Sequence, residues 1–246
     1  MRPFVLSLAI AASLAGAACR DATPSTRDPS TRGGPSEAQA PARSGQAAAA
    51  DSSVKTESKP RIVFLGDSLT AGLGLAADQS YPALLQRKLD EKGYRYEVVN
   101  AGVSGDTSAG GLRRLDWSVE GDVKILVVAL GANDGLRGLS PQDMRANLSA
   151  ILDRASQKGI SVILAGMEAP PNYGVEYTRQ FRDVYIELAK THKVRFLPFL
   201  LQGVAGTSAL NQPDGIHPNA RGAQLVADLV WSALEPVFAR PTAVSP

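Results

Sequence analysis

The sequence predicts an α/β fold with a parallel sheet, and three observations carry this prediction. From residue 59 onward, short runs rich in β-branched residues alternate with longer amphipathic segments, as in repeated strand–helix–strand units. The run from Ile125 to Leu130 is apolar at every position, which is typical of a strand covered by helices on both faces. With 246 residues, of which 44% are hydrophobic and 20% charged, the chain is long enough for one substantial domain with extensions.

Five strands and five long helices are predicted in alternation. The strands are expected near residues 61–65, 96–100, 125–130, 161–165 and 195–197. The helices are expected over about residues 81–92, 108–117, 141–158, 177–192 and 218–238. The third helix is preceded by Ser140, begins with Pro141 and carries Asp143 in its first turn, all of which favour a helix N-terminus.

The first 19 residues have the layout of a secretory signal. Met1-Arg2-Pro3 precedes an apolar stretch that reaches Leu14, and four small residues follow before Cys19. We therefore expect residues 1–19 to be a signal peptide and the protein to be exported. Cys19 is the only cysteine, and its position resembles a bacterial lipobox, although Gly16 departs from the usual larger aliphatic residue. A lipidated Cys19 that tethers the protein to a membrane and a simple cleaved signal of a periplasmic protein are the two expectations.

Residues 20–59 consist mainly of Ala, Ser, Pro, Gly, Thr and charged residues, with almost no large apolar side chain. They are expected to be a disordered linker, either a tether or a leader without a spacer role. The net charge of +2, with basic residues scattered among acidic ones, excludes a nucleic-acid partner. No cluster of histidine, cysteine and carboxylate residues has ligand-like spacing, so neither a metal nor another cofactor is expected. The oligomeric state is not predicted.

Three polar turns that contain glycine follow predicted strands. They are Gly66-Asp67-Ser68, residues 102–106 and residues 131–134. In an open parallel sheet, the loops after the carboxyl ends of the strands gather at one edge, where ligands bind. The segment from Asp214 to His217 enters the last helix and is expected to reach the same edge. The sequence therefore predicts a single mouth formed by four distant segments.

The serine of the first turn, Ser68, is a candidate nucleophile. A serine hydroxyl is activated only if an imidazole takes its proton and a carboxylate holds that imidazole. His217 and Asp214 supply both groups, three residues apart. The other histidine, His192, lies at the end of a predicted helix between two lysines and is interpreted as a solvated cation. As alternatives, Ser68 could be a helix N-cap and Asp214 a simple turn residue.

Four blocks in this order resemble those of the GDSL or SGNH hydrolases. They are Gly66-Asp67-Ser68-Leu69, residues 100–107, residues 131–134 and Asp214-Gly215-Ile216-His217-Pro218. Residues 135–138 and 172–174 resemble the branch of bacterial secreted arylesterases and multifunctional thioesterase/lysophospholipases. The likeness extends over about residues 60–238, and residues 60–240 are assigned as an SGNH hydrolase domain. We expect a flavodoxin-like three-layer α/β/α fold with a five-stranded parallel sheet.

The catalytic roles follow from acyl-transfer chemistry. Ser68 would attack the carbonyl carbon, His217 would move the proton, and Asp214 would fix the imidazole. The resemblance implies that the oxyanion is bound by the backbone amides of Ser68 and Gly105 and by the side-chain amide of Asn133. Gly105 also lacks a Cβ, so its turn can present the amide at close range.

The expected substrate is a small-molecule ester or a lipid. Four residues in two apolar segments are expected to line an acyl groove, although the prolines of the second segment could simply stiffen a loop: Leu136, Met167, Pro170 and Tyr173. The expected function is hydrolysis of aryl or short- to medium-chain acyl esters, thioesters or lysophospholipids through an acyl-enzyme on Ser68. The alternatives are an O-deacetylase of envelope polysaccharide with the same site and a non-catalytic, flavodoxin-like binding module whose turn Gly66 to Gly74 cradles a phosphate.

Overall fold

The computed structural model describes residues 59–238, and a five-stranded sheet lies at its centre. All neighbouring strands are parallel, in the order β2-β1-β3-β4-β5. The strands are β1 (Arg61–Gly66), β2 (Glu97–Gly102), β3 (Val123–Ala129), β4 (Ser161–Ala165) and β5 (Arg195–Leu197). The predicted signal peptide and linker, apart from Lys59, lie outside the described residues.

Seven α-helices accompany these strands in residues 59–238. They are α1 (Ser68–Ala71), α2 (Tyr81–Glu91), α3 (Ser108–Ser118), α4 (Ala132–Leu136), α5 (Pro141–Gln157), α6 (Val175–His192) and α7 (Ala220–Phe238). The strand order is that of flavodoxin-like folds, so the predicted fold class is confirmed. The five long helices were all predicted, whereas α1 and α4 are only four and five residues long and have no periodic pattern to detect. None of the helices described is long and apolar enough to cross a membrane.

The long helices form two layers around the sheet. Helix α2 packs against α7, while α3 packs against α5 and α5 against α6. Right-handed crossovers explain this division, because the chain runs from β1 to β2 in one direction and from β2 through β3 and β4 to β5 in the other. Both faces of the central strands are therefore covered. Every residue of β3 except Lys124 is buried, which accounts for its continuous apolar sequence.

The strand register brings three loop starts to one level. Gly66 at the end of β1 is paired with Gly102 of β2 and with Ala129 of β3. The chain then turns directly from Gly66 into α1, and a Cβ on Gly66 would overlap the Thr70 side chain. Glycine is thus required for this close approach. The first three predicted turns consequently start side by side at the carboxyl edge of the sheet.

Replacing Phe64 by alanine is expected to lower the free energy of unfolding by about 3–5 kcal/mol, because it opens a cavity in the core. Phe64 is fully buried in β1 and makes an edge-to-face contact with Tyr81. Urea denaturation followed by circular dichroism measures the change. The matched control is Trp117→Ala, whose side chain is 78% exposed and whose loss is expected to be within about 0.5 kcal/mol. Equal effects of the two changes would contradict the central position of β1.

Candidate active site

The structure brings Ser68, His217 and Asp214 together. The Ser68 Oγ lies 2.8 Å from His217 Nε2, and His217 Nδ1 lies 2.6 Å from Asp214 Oδ2. Ser68 is the first residue of α1, while the other two residues lie in the loop before α7, 149 positions from Ser68 in the case of His217. Hydroxyl, imidazole and carboxylate therefore form one continuous hydrogen-bonded chain.

The Asp214 carboxylate also organises its own loop. Its Oδ1 accepts hydrogen bonds from the backbone amides of His217 and Ile216, at 3.0 and 2.9 Å. These two amides, together with the imidazole of His217, lower the pKa of Asp214 to about 2. An ionised carboxylate only accepts, so Nδ1 of the neutral ring carries the proton and Nε2 is free to accept from Ser68. The turn and triad interpretations of Asp214 thus describe the same geometry.

Gln212 attaches this loop to the segment that follows the serine. Its side-chain amide donates to the backbone oxygens of Leu73, at 2.7 Å, and Pro218, at 3.0 Å. Its backbone amide donates to the carbonyl of His217 at 2.7 Å. These contacts hold the imidazole over α1 although the two segments are far apart in sequence.

The N-cap of α1 is Asp67, and the interpretation of Ser68 as an N-cap is therefore wrong. The Asp67 Oδ1 accepts from the amide of Leu69 at 3.0 Å, which leaves the Ser68 hydroxyl free to reach His217. Asp67 is only 1% exposed. Burial raises the pKa of this carboxyl from 3.8 to about 6, against the opposing effects of the Leu69 amide and the nearby His217.

The three predicted oxyanion donors differ in whether they already donate a hydrogen bond within the protein. The backbone amides of Ser68 and Gly105 donate to no acceptor within residues 59–238. Gly105 has a φ of 83°, which favours glycine there. The Asn133 side-chain amide donates to the carbonyl of Asp106 at 2.9 Å and lies 3.4 Å from Asp67 Oδ2. An oxyanion would thus replace the longer contact to Asp67, while the carbonyl of Asp106 keeps the amide oriented.

Arg114 joins the serine turn to the loop of Gly105, and no sequence pattern predicted this role. Its guanidinium donates to Asp106 Oδ2 at 2.6 Å and to the carbonyls of Ala101 and Gly66, both at 2.7 Å. The planar fork of arginine suits three acceptors in different directions. The available signal was its position in the predicted helix eight residues after Asp106, but no local pattern distinguishes it from Arg113.

Asp134 and His192 have structural partners away from the serine. Asp134 is buried and accepts from the Ser108 amide at 2.8 Å and from its hydroxyl at 2.6 Å, which fixes the start of α3. His192 is not solvated as predicted, because its side chain is only 13% exposed and lies 3.1 Å from Ser149 Oγ and 3.5 Å from Asp153 Oδ1. Among the described residues, no group of three His, Cys, Asp or Glu side chains could hold a metal ion.

Two of the four predicted groove residues meet at the mouth. Leu136 and Tyr173 are both exposed, and the Tyr173 hydroxyl donates to the Leu136 carbonyl at 2.9 Å. The neighbouring Arg137 donates to the carbonyl of Gly105 at 2.8 Å, so this pair borders the oxyanion loop. Met167 is buried in the core cluster and Pro170 is half-buried, so these two residues offer less surface to a ligand.

A small cavity beside the triad is lined by residues other than the four predicted groove residues. Ser68 and His217 both contact it, and its volume is about 10 Å³. Its other walls are mainly apolar and include Leu69, Leu73, Leu75, Tyr81, Leu201 and Val226. No sequence pattern predicted these residues as a lining, although Leu69, Leu73 and Leu75 follow Ser68 closely in the chain. The only signal was the repetition of leucine in an otherwise small-residue turn.

A serine–imidazole–carboxylate chain at the carboxyl edge of an open parallel sheet is the arrangement of serine-dependent hydrolases. Comparison with known proteins gives the particular group. Residues 64–225 match the sequence profile of the GDSL-like Lipase/Acylhydrolase family. The chain belongs to this family.

Curated relatives are similar over most of their length. The esterase TesA of Pseudomonas aeruginosa is 43% identical over 178 residues, which are 72% of this chain and 89% of that protein. The arylesterase of Vibrio mimicus is 36% identical over 74% of this chain and 92% of its own length. Thioesterase 1/protease 1/lysophospholipase L1 of Escherichia coli K12 is 38% identical, with coverages of 72% and 84%. The predicted family and branch are confirmed.

Solved structures show the same fold. The crystal structure of TesA superimposes with a TM-score of 0.69 and 43% identity. The alignment covers 72% of this chain and 99% of the TesA chain. The psychrotrophic esterase EstA from Pseudoalteromonas sp., in a structure inhibited by monoethylphosphonate, has a TM-score of 0.70 and 32% identity. It covers 74% of this chain and 100% of its own.

Replacing Asp67 by asparagine is expected to raise the free energy of unfolding relative to wild type, and this gain is expected to be larger at neutral pH than at acidic pH. With a pKa of 3.8 unfolded and about 6 folded, the folded state binds more protons in this window, so wild-type stability falls as pH rises through it. A shift of about two pKa units corresponds to about 3 kcal/mol. Urea denaturation of both proteins at about pH 4 and pH 7 measures this. A stability difference that is the same at both pH values would contradict a buried carboxyl with a raised pKa.

Proposed function

We propose that the protein is a serine esterase that hydrolyses carboxylic esters through an acyl-enzyme on Ser68. The observation that carries this proposal is the hydrogen-bonded chain from Ser68 Oγ through His217 to Asp214, with contacts of 2.8 and 2.6 Å. The names of the curated relatives, which are esterase, arylesterase and thioesterase/lysophospholipase, support ester hydrolysis as the activity.

In the acylation step, Ser68 Oγ attacks the ester carbonyl carbon while His217 Nε2 takes the serine proton. Asp214 stabilises the imidazolium that forms, and its low pKa keeps it ionised at any working pH. His217 then gives the proton to the departing alcohol. In the second step, a water molecule attacks the acyl carbon and loses a proton to the same nitrogen. The bond to Ser68 Oγ then breaks, His217 returns the proton to this oxygen, and the acid is released.

The negative charge of each tetrahedral intermediate requires donors that are already in position. The amides of Ser68 and Gly105 are free to provide two, and Asn133 provides the third by leaving its long contact with Asp67. The amide of Asn133 is kept oriented by the carbonyl of Asp106. The buried Asp67 carboxylate therefore holds the third donor in the resting enzyme.

The substrates that fit are esters with apolar parts. The exposed Leu136 and Tyr173, together with the mainly apolar lining beside Ser68, support aryl or short- to medium-chain acyl esters. Thioesters and lysophospholipids are included because the Escherichia coli relative carries those names. A polysaccharide O-deacetylase would use the same triad, but a wide polar cleft, which that substrate requires, finds no support in this lining.

The test of the function is hydrolysis of p-nitrophenyl acetate and of esters with increasing acyl length. Ser68→Ala is expected to lower kcat by about 10⁴-fold or more, whereas the exposed Ser156→Ala in α5 retains wild-type turnover. Asn133→Ala is expected to lower kcat by about 10²- to 10³-fold with an unchanged melting temperature, because one oxyanion donor is lost. Wild-type turnover in a folded Ser68→Ala variant would disprove the mechanism.

The protein acts outside the cytoplasm in this proposal, in the periplasm or attached to a bacterial membrane through a lipidated Cys19. The signal-like sequence before Cys19 supports this location. Mass spectrometry of the mature full-length protein is expected to give an N-terminal Cys19 that carries a diacylglycerol. Cys19→Ala then releases the protein into the soluble fraction. An unmodified mature N-terminus at any other residue would contradict lipidation while leaving export intact.

A further inference from the structure

Five exposed apolar side chains lie at the carboxyl edge of the sheet, one in each segment that follows a strand. Their exposed fractions range from 41% to 84%. In the order of the strands they are Leu73, Val103, Leu139, Val175 and Ile216. Because the strands are parallel, all five segments start at the same edge. These five residues are called the apolar rim.

Three residues of the apolar rim lie beside the triad. Leu73 borders the same small cavity as Ser68 and His217, and Ile216 directly precedes His217. The backbone amide of Val103 donates to the last carbonyl of β1 at 3.0 Å, next to the serine turn. These three residues thus belong to segments that touch the serine or its base.

The other two residues lie beside the oxyanion loop. Leu139 follows Arg137, whose guanidinium donates to the carbonyl of Gly105 at 2.8 Å. The hydroxyl of Tyr177 donates to the Leu139 carbonyl at 2.8 Å, and Tyr177 is two residues after Val175 in α6. Any body that contacts the whole apolar rim therefore covers the active site.

The two edges of the sheet differ in their charged side chains. All four helix-to-strand connections at the amino edge carry exposed charges, which are Lys92, Arg95, Glu120, Asp122, Lys158 and Lys193. In the rim segments 72–76, 102–107, 137–140, 166–174 and 198–219, the Asp, Glu, Lys and Arg residues are Asp106, Arg137, Glu168 and Asp214. Each of these four is hydrogen-bonded within the domain. The apolar rim is therefore a patch of the kind that marks an interaction surface.

The position of the apolar rim around the active site restricts what can occupy it. A partner protein or a second copy seated on the rim would close Ser68 to substrate. A lipid surface would not, because it supplies the ester itself. Apolar side chains that insert about 5–10 Å reach the boundary between headgroups and acyl chains, where the ester bonds of phospholipids and lysophospholipids lie.

We propose that the apolar rim docks on a phospholipid surface and that lipid esters enter the active site directly from that surface. The inference rests on the proposed esterase function. The chain joins β1 at the amino edge, opposite the rim, through Lys59. The roughly 40 residues from Cys19 to Lys59 reach at most about 140 Å, whereas β1 is only about 20 Å long. An anchor at Cys19 can therefore lie in the same membrane that the rim contacts.

Binding to extruded phosphatidylcholine vesicles, measured by flotation, tests the docking without turnover. The full chain carries Ser68→Ala, which prevents lipid hydrolysis, and Cys19→Ala, which removes the acyl anchor. The rim pair Leu139→Ser/Val175→Ser is expected to raise the apparent Kd by about tenfold or more, because two apolar side chains no longer move from water into lipid. Leu73→Ser is expected to weaken binding in the same direction. All three side chains are exposed, so folding is expected to be retained.

The matched control pair is Trp117→Ser/Ile186→Ser. Like the rim pair, it removes one strongly exposed and one half-exposed apolar side chain, but from the last turn of α3 and the middle of α6. Its vesicle Kd is expected to stay within about twofold of the parent protein. With Ser68 restored, the rim pair is expected to lower kcat/KM for micellar lysophosphatidylcholine by about tenfold. Hydrolysis of dissolved p-nitrophenyl acetate, which needs no surface, is expected to stay within about twofold of wild type in both pairs.

Three results would overturn the inference while ester hydrolysis remains. The first is a parent protein that does not bind the vesicles, and the second is a loss of binding that is absent in the rim pair or equal in the two pairs. The third is a wild-type dimer that the rim pair converts to a monomer in size-exclusion chromatography, because a second copy would then cover the rim. Failure of the proposed function is distinct, since wild type would then hydrolyse no p-nitrophenyl acetate, whatever the Ser68→Ala protein does with vesicles.

Discussion

The arrangement of the site depends on the hydrogen bonds that the Arg114 guanidinium donates. The carbonyls of Gly66 and Ala101 lie at the ends of adjacent strands, and Arg114 donates to both of them and to Asp106. Hydrogen bonds to a charged group contribute about 1.5–3 kcal/mol each when they are largely removed from water. This one side chain therefore sets the distance between the serine turn and the loop of Gly105. Since the Asp106 carbonyl also orients Asn133, the three proposed oxyanion donors all belong to segments that Arg114 connects.

Asp67 is a carboxyl group whose buried surroundings disfavour its charged form. A carboxylate that is almost fully buried loses hydration, which the hydrogen bond from the Leu69 amide and the longer contact with the Asn133 amide replace in part. Asparagine would cap the helix as well as aspartate does. The charge instead gives Asn133 a second acceptor and faces His217. Aspartate is thus less favourable for stability here than asparagine would be, but its charge lies beside Asn133 and His217. Such a loss of stability is common at functional sites.

The sequence predicted the parts of the fold and site that local patterns encode. Continuous apolar strands, capped helices and glycine turns identified β3, α5 and the loops of Ser68, Gly105 and Asn133. The short helix α4 and the Arg114 clamp were not predictable, because they depend on which chain segments meet at the sheet edge. The cavity beside Ser68 was missed for the same reason, since Leu201 and Val226 join Leu73 only in three dimensions. Met167 was predicted from its apolar character, but that character reflects its burial in the core.

The separation of the serine from its base along the chain has a consequence for biogenesis. Asp214 and His217 find each other within one turn, but Ser68 meets the imidazole only when a segment 149 positions later docks beside α1. Closing so large a loop is a late event relative to local pairing of strands and helices. A nascent chain that has formed β1 and α1 thus carries an inert hydroxyl until synthesis and docking of the final segment are complete.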